Sequence, residues 1–236
     1  MNEDTEPKLY SIIKAYETLV KGIDKVAHDS LDRAYGGIVR AGKGKLVESI
    51  GKELVKIAWV ELGEDMKRLS FVNKTIKIPL KKDYLNRIKD SEVRNYIEKN
   101  LQRMYYRIKP DIQVAIDGKF KISIECKAYT ENAMLKRILV DCTLLKNVYP
   151  DVSFVLLQLE SQLGGDYSFS ITGKYGSPPT HTLLSYFDVD LNIITLLKGE
   201  RKVDQPIHKP EYYKPLEVER LNEAVEIFKD LLQKIV

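Results

Sequence analysis

The chain has 236 residues and a net charge of +4, with 44% hydrophobic and 31% charged residues, an ordinary balance for a soluble globular protein that can bury a substantial core. No stretch reaches the eighteen or so uninterrupted apolar residues a membrane span needs, and the acidic start Met1-Asn2-Glu3-Asp4 has neither the positive region nor the apolar run of a secretory signal. A cytoplasmic address without a membrane partner is expected, and the mild positive charge permits an anionic partner without demanding one.

Two cysteines, Cys126 and Cys142, have no zinc-ligand spacing, and the three histidines His28, His181 and His208 lie far apart, which removes histidine-metal and Ser-His-Asp chemistry. Neither Gly36-Gly37 nor Gly164-Gly165 is followed by the Gly-Lys-Ser/Thr of a phosphate-cradling loop.

In chain order, Leu9, Ile12, Ile13, Tyr16, Leu19, Val20 and Ile23 recur at helical spacing, predicting a packing helix or dimerisation arm that ends at Gly36-Gly37. A second helix is expected over about 45–62, with Val47, Ile50, Leu54, Ile57 and Ala58 as its buried stripe and Glu48 and Glu53 off it. Residues 73–80 alternate as a half-exposed strand, and 84–108 return to helical spacing with many Lys and Arg. Two apolar alternating runs, 112–116 and 120–126, flank Asp117-Gly118-Lys119, which is hairpin chemistry. A helix over about 131–148 follows, then the continuous apolar run 152–157 of a strand covered on both faces. Residues 164–215 are loop-rich with a strand near 192–197, and a helix from about 216 closes the chain. The pattern predicts one α/β domain with a central mixed β-sheet flanked by helices, comprising an N-terminal helical region over about 1–62 and a core over about 70–200.

The hairpin carries the chemistry. Residues two apart in a strand share a face, so Lys121, Ser123, Glu125 and Lys127 point one way and Phe120, Ile122, Ile124 and Cys126 the other. Matching apolar to apolar sets Ile116 opposite Phe120, Val114 opposite Ile122 and Ile112 opposite Ile124, with a three-residue loop between. Asp111 then falls across from Glu125, with Cβ atoms roughly 4.5 to 5.5 Å apart. Facing carboxylates are destabilising, and the simplest reason to keep them is a hard divalent cation. Lys127, one step along the same face, stands where it can stabilise a charged transition state or orient a water.

Pro110-Asp111 followed by Glu125-Cys126-Lys127 resembles the PD-(D/E)xK nuclease superfamily, which includes most type II restriction endonucleases. A looser match, Pro150-Asp151 with Glu200-Arg201-Lys202, lies in a turn-like stretch without strand alternation. The resemblance implies that Asp111, Glu125 and the Cys126 carbonyl hold Mg²⁺ and that Lys127 assists hydrolysis. It also implies a helical glutamate, for which Gly44-Lys45-Leu46-Val47-Glu48 offers Glu48, with Glu53 the alternative. A chain without helicase or ATPase parts is then expected to be an endodeoxyribonuclease of the type II restriction kind, acting on double-stranded DNA as a homodimer. The alternatives are a structure-selective repair or junction nuclease and a non-catalytic DNA-binding protein of nuclease fold.

Lys45, Lys52, Lys136 and Arg137 are the candidate phosphate contacts, against ordinary solvated cations. The stretch Arg103-Met104-Tyr105-Tyr106-Arg107-Ile108-Lys109 is a candidate groove lining, against core tyrosines. The segment 173–181 is a candidate base-reading loop, against a plain surface loop. Cys126, on the apolar face, reads as a core residue rather than a nucleophile.

Overall fold

The computed structural model describes residues 5–27, 32–167 and 175–235, the side chains at 23–27, 32–38 and 40 excepted. The amphipathic N-terminal residues form α1 (Thr5–Ala27), followed by the long α2 (Asp32–Glu61) and the short strand β1 (Leu69–Val72). The chain then leaves the sheet through β2 (Ile76–Pro79), α3 (Ser91–Lys99) and β3 (Tyr105–Ile108). It returns as β4 (Ile112–Ile116) and β5 (Lys119–Glu131), crosses over through α4 (Asn132–Lys146), and continues as β6 (Ser153–Gln162), α5 (Pro178–Ser185), β7 (Leu191–Thr195) and α6 (Val218–Gln233).

The main sheet has five strands in the order β1-β4-β5-β6-β7, while β2 and β3 pair as a separate antiparallel ribbon. β1, β4 and β5 run antiparallel, whereas β5, β6 and β7 are parallel, giving the expected mixed sheet. Its period-two alternation sends Ile112, Val114, Ile122, Ile124, Cys126, Val155 and Leu157 into a core shared with α1, α2 and α6. Phe154 and Leu156 face the other way, against Leu135, Ile138 and Leu139 of α4 and Ile76, Ile78 and Ile108 of the ribbon. All five residues of β4 are buried, as a strand covered on both faces requires.

Four sequence expectations are corrected. Gly36-Gly37 does not break a helix: both lie within α2, which begins at Asp32 rather than near 45. Each helical glycine costs about 1 kcal/mol relative to alanine, and the buried residues Val47, Ile50, Leu54, Ile57 and Ala58 anchor the helix strongly enough to carry it through. The stretch 84–108 is not one helix. It holds a 3-10 turn at Lys82–Arg87, then α3, and ends in β3, where pairing with β2 overrides helical spacing. The hairpin closes with two residues, not three: Ile116 pairs with Lys119, and Asp117 and Gly118 have φ of 49° and 74°, the positive pair that a tight primed turn demands. A bulge between Val114 and Ala115 then absorbs the extra residue, so Val114 faces Ile122 and Ile112 faces Ile124 as expected. Finally, residues 178–181 of the segment 173–181 belong to α5, capped by Ser177 accepting from the Thr180 N–H. Residues 173 and 174 lie outside the described residues.

Gly51 lets α2 approach the sheet closely. A Cβ there would lie 2.8 Å from both Ile112 Cδ1 and Leu157 Cδ2, well inside van der Waals contact. Gly51→Ala gains about 1 kcal/mol of helix propensity but overpacks the floor of the hairpin at about 1–3 kcal/mol. A net loss of about 1 kcal/mol in chemical denaturation is expected, with Ile112 displaced.

Candidate active site

Asp111 sits immediately before β4, and Glu125, Cys126 and Lys127 lie in mid-β5, the sheet's central strand. Since Ile112 pairs with Ile124, the register that buries these isoleucines also brings Asp111 up to Glu125. The Lys127 ammonium donates to Asp111 Oδ2 at 2.9 Å, to Glu125 Oε2 at 2.9 Å and to the Cys126 carbonyl at 3.2 Å. The Cys126 N–H donates to the same Asp111 oxygen at 2.8 Å. Three oxygens from three residues thus converge on one cation. The side chains of Asp111, Glu125 and Lys127 are 29%, 18% and 30% exposed, so the cluster is sheltered yet open to solvent.

The electrostatics reflect the crowding. Burial, opposed by Lys127 and reinforced by Asp111, raises the Glu125 carboxyl above its ordinary value. Burial alone would lower the Lys127 ammonium, but Glu125 and Asp111 outweigh it and hold the group above the usual lysine range. Lys127 is therefore charged at neutral pH and serves as a donor in this arrangement. The Cys126 thiol is pushed well up, mainly by burial, which fits an inert core residue rather than a nucleophile.

A cavity of about 300 Å³ opens beside Asp111 and is lined by Glu48, Lys52, Asn73, Lys109 and Gln113 among others. Glu48 of α2 thus faces the same space as Asp111. Glu53 instead pairs with Lys56 at 2.7 Å and lies against Lys8 and Ser11 of α1. Lys52 lines the Asp111 cavity, whereas Lys45, Lys136 and Arg137 are exposed outside it. Among the described residues, no group of three or more His, Cys, Asp and Glu is arranged to hold a metal ion by side chains alone. The convergent oxygens at Lys127 instead combine two carboxylates with a backbone carbonyl, a hard-oxygen set of the kind that suits Mg²⁺.

Sequence reasoning missed two neighbours. Asp141 of α4 lies close enough to oppose Glu125 and to feel Lys127, and its carboxyl is raised, chiefly by burial. Gln158 pairs with Lys127 across the parallel β5–β6 register, is fully buried, and donates to Thr195 Oγ1 at 3.0 Å. Neither has a local sequence signal, because a helical turn and a parallel crossover bring them to the site.

No family model matches the chain. It is 49% identical, over an alignment of 240 positions that covers 100% of both chains, to the type II restriction enzyme DdeI of Desulfomicrobium norvegicum (strain DSM 1741 / NCIMB 8310). Among solved structures it is similar to the native BbvCI A2B2 tetramer, at 14% identity and a TM-score of 0.41 over 99% of this chain and 90% of that one. The full-length identity to DdeI settles the family: the chain belongs to the type II restriction enzymes.

Proposed function

We propose that the chain cleaves phosphodiester bonds at a specific sequence in double-stranded DNA, through a PD-(D/E)xK centre formed by Asp111, Glu125 and Lys127, with Mg²⁺ as cofactor. The carrying observation is the convergence of Asp111 Oδ2, Glu125 Oε2 and the Cys126 carbonyl on one cation at 2.9, 2.9 and 3.2 Å. Asp111, Glu125 and the Cys126 carbonyl would hold the ion. When bound it supplies Lewis-acid polarisation of the phosphate and a more acidic water. The chain's own groups do the rest. The Cys126 N–H fixes the Asp111 carboxylate in place. Lys127 would donate from its ammonium to a non-bridging phosphate oxygen where negative charge grows. Glu48 orients water in the cavity it shares with Asp111. Cutting both strands of a duplex favours a symmetric homodimer.

Incubating purified protein with long duplex DNA tests this reading. Discrete fragments with Mg²⁺ and none with EDTA are expected, while intact DNA in every divalent metal would reject it. The two helical glutamates separate in the same assay. Glu48→Gln slows single-turnover cleavage about 10- to 100-fold, as loss of a group supporting a metal site does. Glu53→Gln leaves the rate within about twofold, because its neighbour is α1.

A further inference from the structure

The positive charge of this chain is concentrated in one excursion. Residues 73–109, between β1 and β4, contain eleven Lys and Arg and four Asp and Glu, a net +7 against +4 for the whole chain. The remaining residues are therefore net −3. Nor is the excursion kept for packing along its length. The 3-10 turns at Lys82–Arg87 and Leu101–Arg103 and the helix α3 bury no residue, and only the β2–β3 ribbon docks on the core, through Ile76, Ile78 and Ile108.

On the outer face of that ribbon Lys77 stands directly across from Arg107, a like-charge pair that is destabilising in isolation. Both lie over the Tyr105 ring, at 4.6 and 5.3 Å from its centroid. A groove of about 700 Å³ lies between the ribbon and the β4–β5 hairpin, and Lys74, Lys77, Lys119 and Lys121 line it, with Asp151 the one acid among its lining residues. None of these four lysines forms an ion pair among the described residues, although Lys56, Lys127, Lys146, Lys214 and Lys229 all do. The groove adjoins the catalytic cavity, since Val72 and Gln113 line both. Gln113 is buried and donates to the Lys74 carbonyl at 2.6 Å, fastening the ribbon to β4.

We propose that this lysine groove holds the phosphate backbone of the duplex beside the scissile bond, as a sequence-independent grip. The inference rests on the duplex-cleaving reading and adds where the flanking DNA runs. β4 spans about 17 Å from the Asp111 end to the hairpin turn, which matches about five base-pair steps at 3.4 Å each. Lysines outside any salt bridge suit this role, because each can neutralise a phosphate and release condensed counterions without first breaking one.

The test compares wild type with the triple variant Lys77→Ala/Lys119→Ala/Lys121→Ala, all positions outside the catalytic cluster. Binding to a 30-base-pair duplex carrying the cleavage site is measured in Ca²⁺ across a salt series. Circular dichroism melts check that the variant folds. The slope of log affinity against log salt should fall by about 2.7, at about 0.9 per lost phosphate contact, with affinity at low salt reduced at least tenfold. Wild type should also bind a duplex truncated three base pairs from the cut more weakly, whereas the variant should be indifferent to that truncation. A wild type that cuts duplex DNA, beside a folded variant with unchanged slope and affinity, would overturn the grip alone. A wild type that neither binds nor cuts duplex DNA would overturn the functional reading, and the grip with it.

Discussion

Asp111→Ala and Lys127→Ala are each expected to reduce single-turnover cleavage of duplex DNA by roughly a thousandfold, about 4 kcal/mol of lost transition-state stabilisation. The two losses have different origins. Asp111 contributes one of the three oxygens that converge at the centre and, through the Cys126 N–H, locks the backbone whose carbonyl is another. Lys127 contributes the charge, held above the ordinary lysine range by Glu125 and Asp111 despite burial. Because the two act as a unit, the double variant should lose little more than either single one. Duplex binding without metal should change by less than about tenfold in Lys127→Ala, since backbone contacts elsewhere dominate affinity. Equal loss of binding and cleavage would mean that the cluster holds DNA and does not act on it.

Arg220→Ala is expected to destabilise the fold by about 3–5 kcal/mol, the usual cost of removing one partner of a buried ion pair. Arg220 of α6 is 2% exposed and donates to Asp166 Oδ2 at 2.9 Å, with Glu223 Oε2 at 3.1 Å on its other side. Asp166 in turn accepts from the Gly199 N–H at 2.9 Å. The arginine thus ties α6 to the chain following β6 and to the turn after β7. Truncation removes the cation facing a carboxylate that is itself nearly inaccessible. Urea unfolding should show the full loss. If the arginine alone is dispensable, α6 is held by its apolar stripe of Leu221, Val225, Phe228 and Leu232 without help from the ion pair.

How much of this was legible in the sequence depended on range. The alternation of Ile112, Val114, Ile122 and Ile124 sets the register near the site, and with it the approach of Asp111 to Glu125, because a slip would expose buried isoleucines. The same logic failed at the turn. Apolar matching cannot foresee a bulge, and the positive φ that Asp117-Gly118 tolerates made the tighter loop accessible. Four-residue β1 and β3 are too short to show a period, and β3 is a strand only because β2 lies beside it. Gly36-Gly37 sits within α2 because tertiary packing outweighs local propensity. For Glu48 against Glu53, offset within the helix could not choose, since both lie off the stripe. The choice needs the position of α2 over Ile112, which Gly51 permits. Asp141 and Gln158 reach the site through α4 and the parallel pairing, and no spacing in the chain encodes that.

The most direct test of the central claim is calorimetric titration of Mn²⁺ into the protein bound to a cleavage-site duplex made uncleavable by a phosphorothiolate bond. Wild type should take up metal, and Asp111→Asn and Glu125→Gln should each weaken uptake at least tenfold while leaving duplex binding in EDTA intact. Metal uptake unchanged in both variants would contradict the account, because the oxygens that converge on Lys127 would then not be those that hold the ion.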